Sequence, residues 1–215
     1  MNYQLNRWRF SFIFNVLAPL LFASAAYADG ETVTRVLHQT PSLSSFDICH
    51  SGGCAAVSHV SLSKEEWQQV INAFEPKPMD AEGERKDIAN AIGLMEKLVG
   101  AKTATNTDRG GTFGNSDYPG QLDCNDESTN STTYMKLMNQ AGLIRFHEIL
   151  DTKTRGFFFN GWPHTTAVIR EKQAGHSSDK SYAVDSWFYD NGRPAVIIPL
   201  TLWEKGWNPT NIAAH

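Results

Sequence analysis

Apolar residues recur at helical spacing in three stretches of the chain and then give way to short β-rich runs. Ser63-Lys64-Glu65-Glu66 has the form of a capping box, and Trp67, Val70, Ile71 and Phe74 follow on one face until Pro76, which predicts a helix over about 64–74. Ile88, Ile92, Met95 and Val99 are spaced by four, three and four residues, predicting a second amphipathic helix that stops near Gly100. A third begins near Cys124, carries Tyr134, Met135, Leu137, Met138 and Ala141, and ends at Gly142. Residues 29–62 are mixed and polar, with an alternation from Ala55 to Leu62 that suits a short strand, and residues 101–121 read as a long polar loop. Beyond the third helix come β-rich runs at 143–150, 156–159, 165–171, 182–188 and 195–200, separated by turn residues such as Asp190-Asn191-Gly192. Helices first and strands afterwards indicate an α+β fold with an antiparallel sheet. No repeat or heptad is present.

Length and composition add the domain count. The 215 residues, 41% hydrophobic and 20% charged, suit one core, expected over residues 29–215. Residues 1–28 have another character: Arg7 and Arg9, no acid, an apolar run from Phe10 to Phe22, then Ala26-Tyr27-Ala28. That is the form of a secretory signal peptide cut before Asp29, which places the mature protein in the periplasm or outside the cell with no stable membrane insertion. Loss of Arg7 and Arg9 with the leader takes the formal net charge from −4 to −6, so nothing favours a nucleic-acid partner.

Cysteine parity points to chemistry. An exported chain with three cysteines leaves at least one outside any internal disulfide. Cys49 and Cys54 bracket the short loop His50-Ser51-Gly52-Gly53 and are expected to pair, which leaves Cys124 as the odd thiol. Cys124 opens a predicted helix, where backbone N–H groups and the positive end of the macrodipole favour a thiolate; Asp123, Asp126 and Glu127 oppose it. His164 and Asp185 supply a base and its orienting carboxylate. Their midpoint, 174.5, falls in the polar loop 173–179, so a symmetric antiparallel hairpin sets them directly opposite one another on one face. Cys124 is then the candidate nucleophile, His164 the acceptor of its proton, and Asp185 the group that fixes the imidazole. The Cys124 backbone N–H is the first oxyanion donor and the Gln121 side chain a second candidate.

The blocks Leu122-Asp123-Cys124-Asn125-Asp126-Glu127, Pro163-His164-Thr165-Thr166-Ala167-Val168 and Tyr182-Ala183-Val184-Asp185-Ser186-Trp187 resemble the Cys, His and Asp motifs of the transglutaminase-like superfamily, nearest to the bacterial transglutaminase-like cysteine proteinases. The resemblance covers about residues 115–200. Leu122 stands where a glycine is usual, and Glu127-Ser128 where an aromatic and a small residue are usual. It implies a papain-like core with the catalytic helix against an antiparallel sheet and a Cys124-His164-Asp185 triad. The activity implied is hydrolysis of amide bonds, in protein or peptide substrates of the cell envelope, through a thioacyl-enzyme. A protein-glutamine acyl transferase would use the same triad, and a non-catalytic envelope-binding module would keep the same fold. No cofactor is required. Calcium binding near the cysteine occurs in that branch, which makes Asp123, Asp126 and Glu127 a candidate ligand set, although their place at a helix start explains them without a metal.

Other signals are weaker. The remaining histidines lack His-x-x-x-His or Cys-x-x-Cys spacing, which argues against zinc and against thiol–disulfide exchange. Trp162 and Trp187 flank the site residues as candidate walls of a substrate cleft, whereas Trp203 and Trp207 read as core or as packing for the tail.

Overall fold

The computed structural model describes residues 23–112, 118–156, 163–172 and 180–210, with side chains from residue 30 onward. Its elements run α1 (Ala23–His38), β1 (Phe46–His50), β2 (Ala56–Val60), α2 (Lys64–Asn72), α3 (Ala81–Thr103), α4 (Cys124–Gln140), β3 (His147–Arg155), β4 (His164–Glu171), β5 (Ser181–Asp185), β6 (Val196–Pro199) and α5 (Leu200–Glu204). The fold is α+β, and both sheets are antiparallel: a β1–β2 hairpin and a four-stranded meander in the order β3-β4-β5-β6.

The elements form where local chemistry favours them. Ser63 accepts the Glu66 N–H while Glu66 reaches back to the Ser63 N–H, the reciprocal cap expected for α2. The Ile88, Ile92, Met95 and Val99 stripe is buried along α3, but that helix starts two turns earlier than its apolar pattern, at the Asp80 cap, because its first turns carry charge. Glu84 in those turns is fully buried and accepts the backbone N–H groups of Arg145, Phe146 and His147 together with the His147 ring. This capture explains why β3 begins at His147 and not at residue 143: the preceding amides bond to a carboxylate instead of a neighbouring strand.

Helix α4 lies at the centre of the molecule, packed against β1 on one side and β4 on the other, with α1 and α3 alongside. Its polar run, Ser128 to Thr133, is buried. Asn130 shows how such residues are accommodated, since its side chain accepts the Cys49 N–H and donates to the Cys49 carbonyl, both at 2.8 Å, completing β1 like a strand neighbour. On the sheet, Ala167 and Ile169 of β4 stand opposite Val184 and Tyr182 of β5, and all four join the core that holds Met135 and Met138 of α4.

One expectation needs correction here. The segment 29–62, read as irregular apart from one strand, contains the end of α1 and both strands of a hairpin. Helix α1 spans the Ala28–Asp29 junction of the uncut chain, and most of the expected leader, residues 1–22, lies outside the described residues. Among the described residues, no helix is long and apolar enough to cross a membrane.

Candidate functional site

Cys124 is the first residue of α4, and Asp123 caps the helix by accepting the N–H groups of Asn125 and Asp126 at 2.9 Å each. The cap is itself held by the loop between Cys49 and Cys54, which are joined by a disulfide. Ser51, Gly52, Gly53 and Cys54 all have positive φ, a run of left-handed residues that turns successive N–H groups to one side. Gly52 and Cys54 donate to the two oxygens of Asp126, and Gly53 donates to Asp123, each at 2.7 Å. The acids next to the cysteine are therefore engaged by the helix start and by this loop. Glu127 points elsewhere: it is buried and accepts the Ser186 hydroxyl. Among the described residues no three acid, histidine or cysteine side chains converge as a metal-ligand set.

His164 opens β4 and Asp185 closes β5. Their side chains meet, His164 Nε2 donating to Asp185 Oδ2 at 2.7 Å. The expected direct opposition is off by two residues, because Ala167 pairs with Val184, which centres the hairpin at 175.5 and sets Asp185 across from Thr166. A two-residue offset preserves the face, so the contact survives as a diagonal one. On its other side His164 pairs with Arg155 of β3. With Nε2 committed to the carboxylate, Nδ1 is the ring nitrogen left for a thiol proton.

The thiol lies at the start of β4. The Thr165 backbone N–H and the Cys124 backbone N–H both act on its sulfur, and the charges of Asp123 and Asp185 reach it. Cys124 makes no direct hydrogen bond to His164 in this structure. Burial pushes the Cys124 thiol up to about 11; the two N–H groups oppose that rise, and the carboxylates add to it. A thiol raised that far is protonated at neutral pH.

The imidazole is enclosed by aromatic rings. Centroids of Trp187, Phe188 and Trp203 lie 4.6, 5.4 and 5.5 Å from that of His164. The Trp187 indole N–H donates to the Thr112 carbonyl, so Trp187 joins the site to the loop that precedes α4. That loop approaches closely enough that a Cβ at Gly110 would come within 2.4 Å of the Phe188 carbonyl oxygen. Gln121 braces the same loop: its carbonyl oxygen accepts the Arg109 N–H and the Thr112 hydroxyl, and its amide donates to the Thr107 carbonyl. Its side chain is thus engaged in structure rather than presented as an oxyanion donor. Trp162 lies outside the described residues.

Two features of the site were not legible as such in the sequence. Trp203, read as core or tail packing, is indeed fully buried, but its indole N–H also donates to Asp185 Oδ2 at 2.7 Å. A group of buried carboxyls, Glu96, Asp108 and Glu127, lies behind Ser186. Comparison with protein-family models, curated proteins and solved structures finds no match for this chain.

Proposed function

We propose that the chain is an exported cysteine hydrolase with a papain- and transglutaminase-like core, cleaving amide bonds in proteins or peptides of the cell envelope. The observation that carries this reading is the 2.7 Å bond from His164 to Asp185 at the strand start that also turns an N–H group to the Cys124 sulfur. A cysteine at a helix start, with a base bonded to an orienting carboxylate on strands of the adjoining sheet, supplies the parts of acyl transfer.

In the steps we assign, His164 Nδ1 accepts the thiol proton as Cys124 Sγ attacks the substrate carbonyl carbon. Asp185 stabilises the imidazolium so formed, and the Cys124 backbone N–H donates to the developing oxyanion. His164 returns the proton to the departing amine. A water molecule, deprotonated by His164, then cleaves the thioester and regenerates the thiol. These steps use no cofactor. Asp123 and Asp126 serve the architecture of the helix start and the neighbouring loop. The disulfide accords with an oxidising compartment.

One observation favours a second reading, a binding module that keeps the fold: the thiol is protonated and only 8% exposed. The two readings differ in turnover of an acyl donor. With p-nitrophenyl acetate, the hydrolase forms an acetyl thioester on Cys124 and releases nitrophenol over many turnovers, whereas His164→Ala stops after at most one equivalent. Equal turnover in Cys124→Ser and the unaltered protein defeats the hydrolase assignment.

A further inference from the structure

The oxygen of Asp185 that receives His164 also receives Trp203, each at 2.7 Å. Trp203 lies in α5, a five-residue helix that follows β6 directly and packs against β5. Indole N–H groups usually find a partner when buried, but this one meets the triad carboxylate when a backbone carbonyl would have satisfied it equally well. The indole is held in place in turn. Arg155, at the end of β3, places its guanidinium 4.5 Å over the Trp203 ring and donates to the carbonyls of Trp203 and Trp207. Arg155 is also the β-ladder partner of His164. One arginine therefore ties the strand that carries the histidine to the helix that carries the tryptophan.

We propose that Trp203 is a positioning residue for the triad, acting through Asp185, and that Arg155 locks it there. The proposal rests on the assignment of Cys124, His164 and Asp185 as a triad. A carboxylate held by a single imidazole N–H can rotate about its terminal torsion, which is broad. A second donor to the same oxygen fixes the rotation and keeps Oδ2 aimed at His164. The indole also shields that hydrogen bond from water, where it would be weaker. By competing for the oxygen's charge, the N–H moderates the pull of Asp185 on the imidazolium, so its removal alters both the orientation and the pH dependence of thiol activation. The other charged or titratable groups that bear on this pair are Cys124 and Glu127 from α4 and Arg155 from β3.

The test is a double-mutant cycle on the rate of Cys124 alkylation by iodoacetamide, measured from pH 5 to 10 in the unaltered protein, Trp203→Phe, Asp185→Asn and the double variant. Phenylalanine keeps an aromatic ring and removes the N–H, and a melting curve for each protein checks the fold. Loss of one hydrogen bond to a charged group predicts about a tenfold slower reaction near neutral pH in Trp203→Phe, with the alkaline limb of the profile displaced. In the double variant the rate equals that of Asp185→Asn within about twofold, because Trp203 has no carboxylate left to act on. Losses that multiply when Asp185→Asn itself is slow overturn the positioning role and leave the triad standing. If Asp185→Asn alkylates at the unaltered rate, the triad assignment fails, and the proposal fails with it. A Trp203→Phe profile that overlays the unaltered one also overturns it.

Discussion

His164 and Asp185 meet along a diagonal of the β4–β5 ladder, two residues from direct opposition, with 2.7 Å between Nε2 and Oδ2. Because side chains alternate faces with period two, this pair tolerates a two-residue offset and would not tolerate one of a single residue. The diagonal commits Nε2 to the carboxylate and leaves Nδ1 as the other ring nitrogen.

Asp185→Asn tests that assignment. An amide can donate to Nε2 and thereby favour the other tautomer, placing a proton on the nitrogen that has to accept one. The amide nitrogen that faces Nε2 then also faces the Trp203 N–H, which loses its acceptor, so melting temperature is expected to fall modestly while ester turnover falls by roughly 10³–10⁴. Turnover within a factor of two of the unaltered protein would make Asp185 structural.

Much of this arrangement was readable in advance, and the failures have physical causes. Ser63 and Glu66 are a local cap, so sequence alone specified them; the α3 stripe is periodic and equally plain. Cys124, His164 and Asp185 were visible because parity, a helix start and a hairpin midpoint are one-dimensional features. Helix α4 was harder to recognise as the central one, because Ser128 to Thr133 are polar yet buried, and the partners of Asn130 and Ser131, Cys49 and Ser186, lie far along the chain. Gln121 looked like an oxyanion donor because its nearness to Cys124 in sequence says nothing of its bonds to Arg109, Thr112 and Thr107. Trp203 follows Asp185 by 18 residues, and only the turn of α5 brings its N–H to the carboxylate.

The buried carboxyls predict that stability declines toward alkaline pH. Burial, reinforced by the charge of Glu127, pushes Asp108 from 3.8 up to about 9, and burial likewise raises Glu96 and Glu127. A raised folded-state value means the native protein holds more protons than the unfolded chain between about pH 4 and 9. The stabilisation is complete below the unfolded values and is lost as pH climbs through the folded ones. Melting temperature is expected to fall steadily from pH 6 to 9.5, and Glu96→Gln, which keeps the shape and removes a titrating group, is expected to flatten that slope. A melting temperature that rises over this interval contradicts the account.

The disulfide loop should stabilise both the fold and the helix start. Closing so short a loop is worth about 2 kcal/mol on chain-entropy grounds. Without the bond, the left-handed run from Ser51 to Cys54 is free to relax, releasing the N–H groups that hold Asp123 and Asp126. Urea unfolding of Cys49→Ser/Cys54→Ser is expected to show that loss or more, with faster amide exchange in the first turn of α4. Unchanged exchange there would mean that the loop does not brace the helix.

The central claim is that His164 activates Cys124, the one cysteine outside the disulfide. Its most direct test is the pH dependence of iodoacetamide alkylation at Cys124, followed by intact mass in the unaltered protein and in His164→Ala. The account predicts an inflection well below that of a free thiol, at about 8.5, in the unaltered protein. Burial holds the thiol's own ionisation up at about 11 in the unaltered protein, so this inflection arises from His164 taking the proton as the sulfur attacks; in His164→Ala it vanishes and only the rise toward about 11 is left. The same profile in both proteins, or a free-thiol profile in the unaltered one, would contradict it.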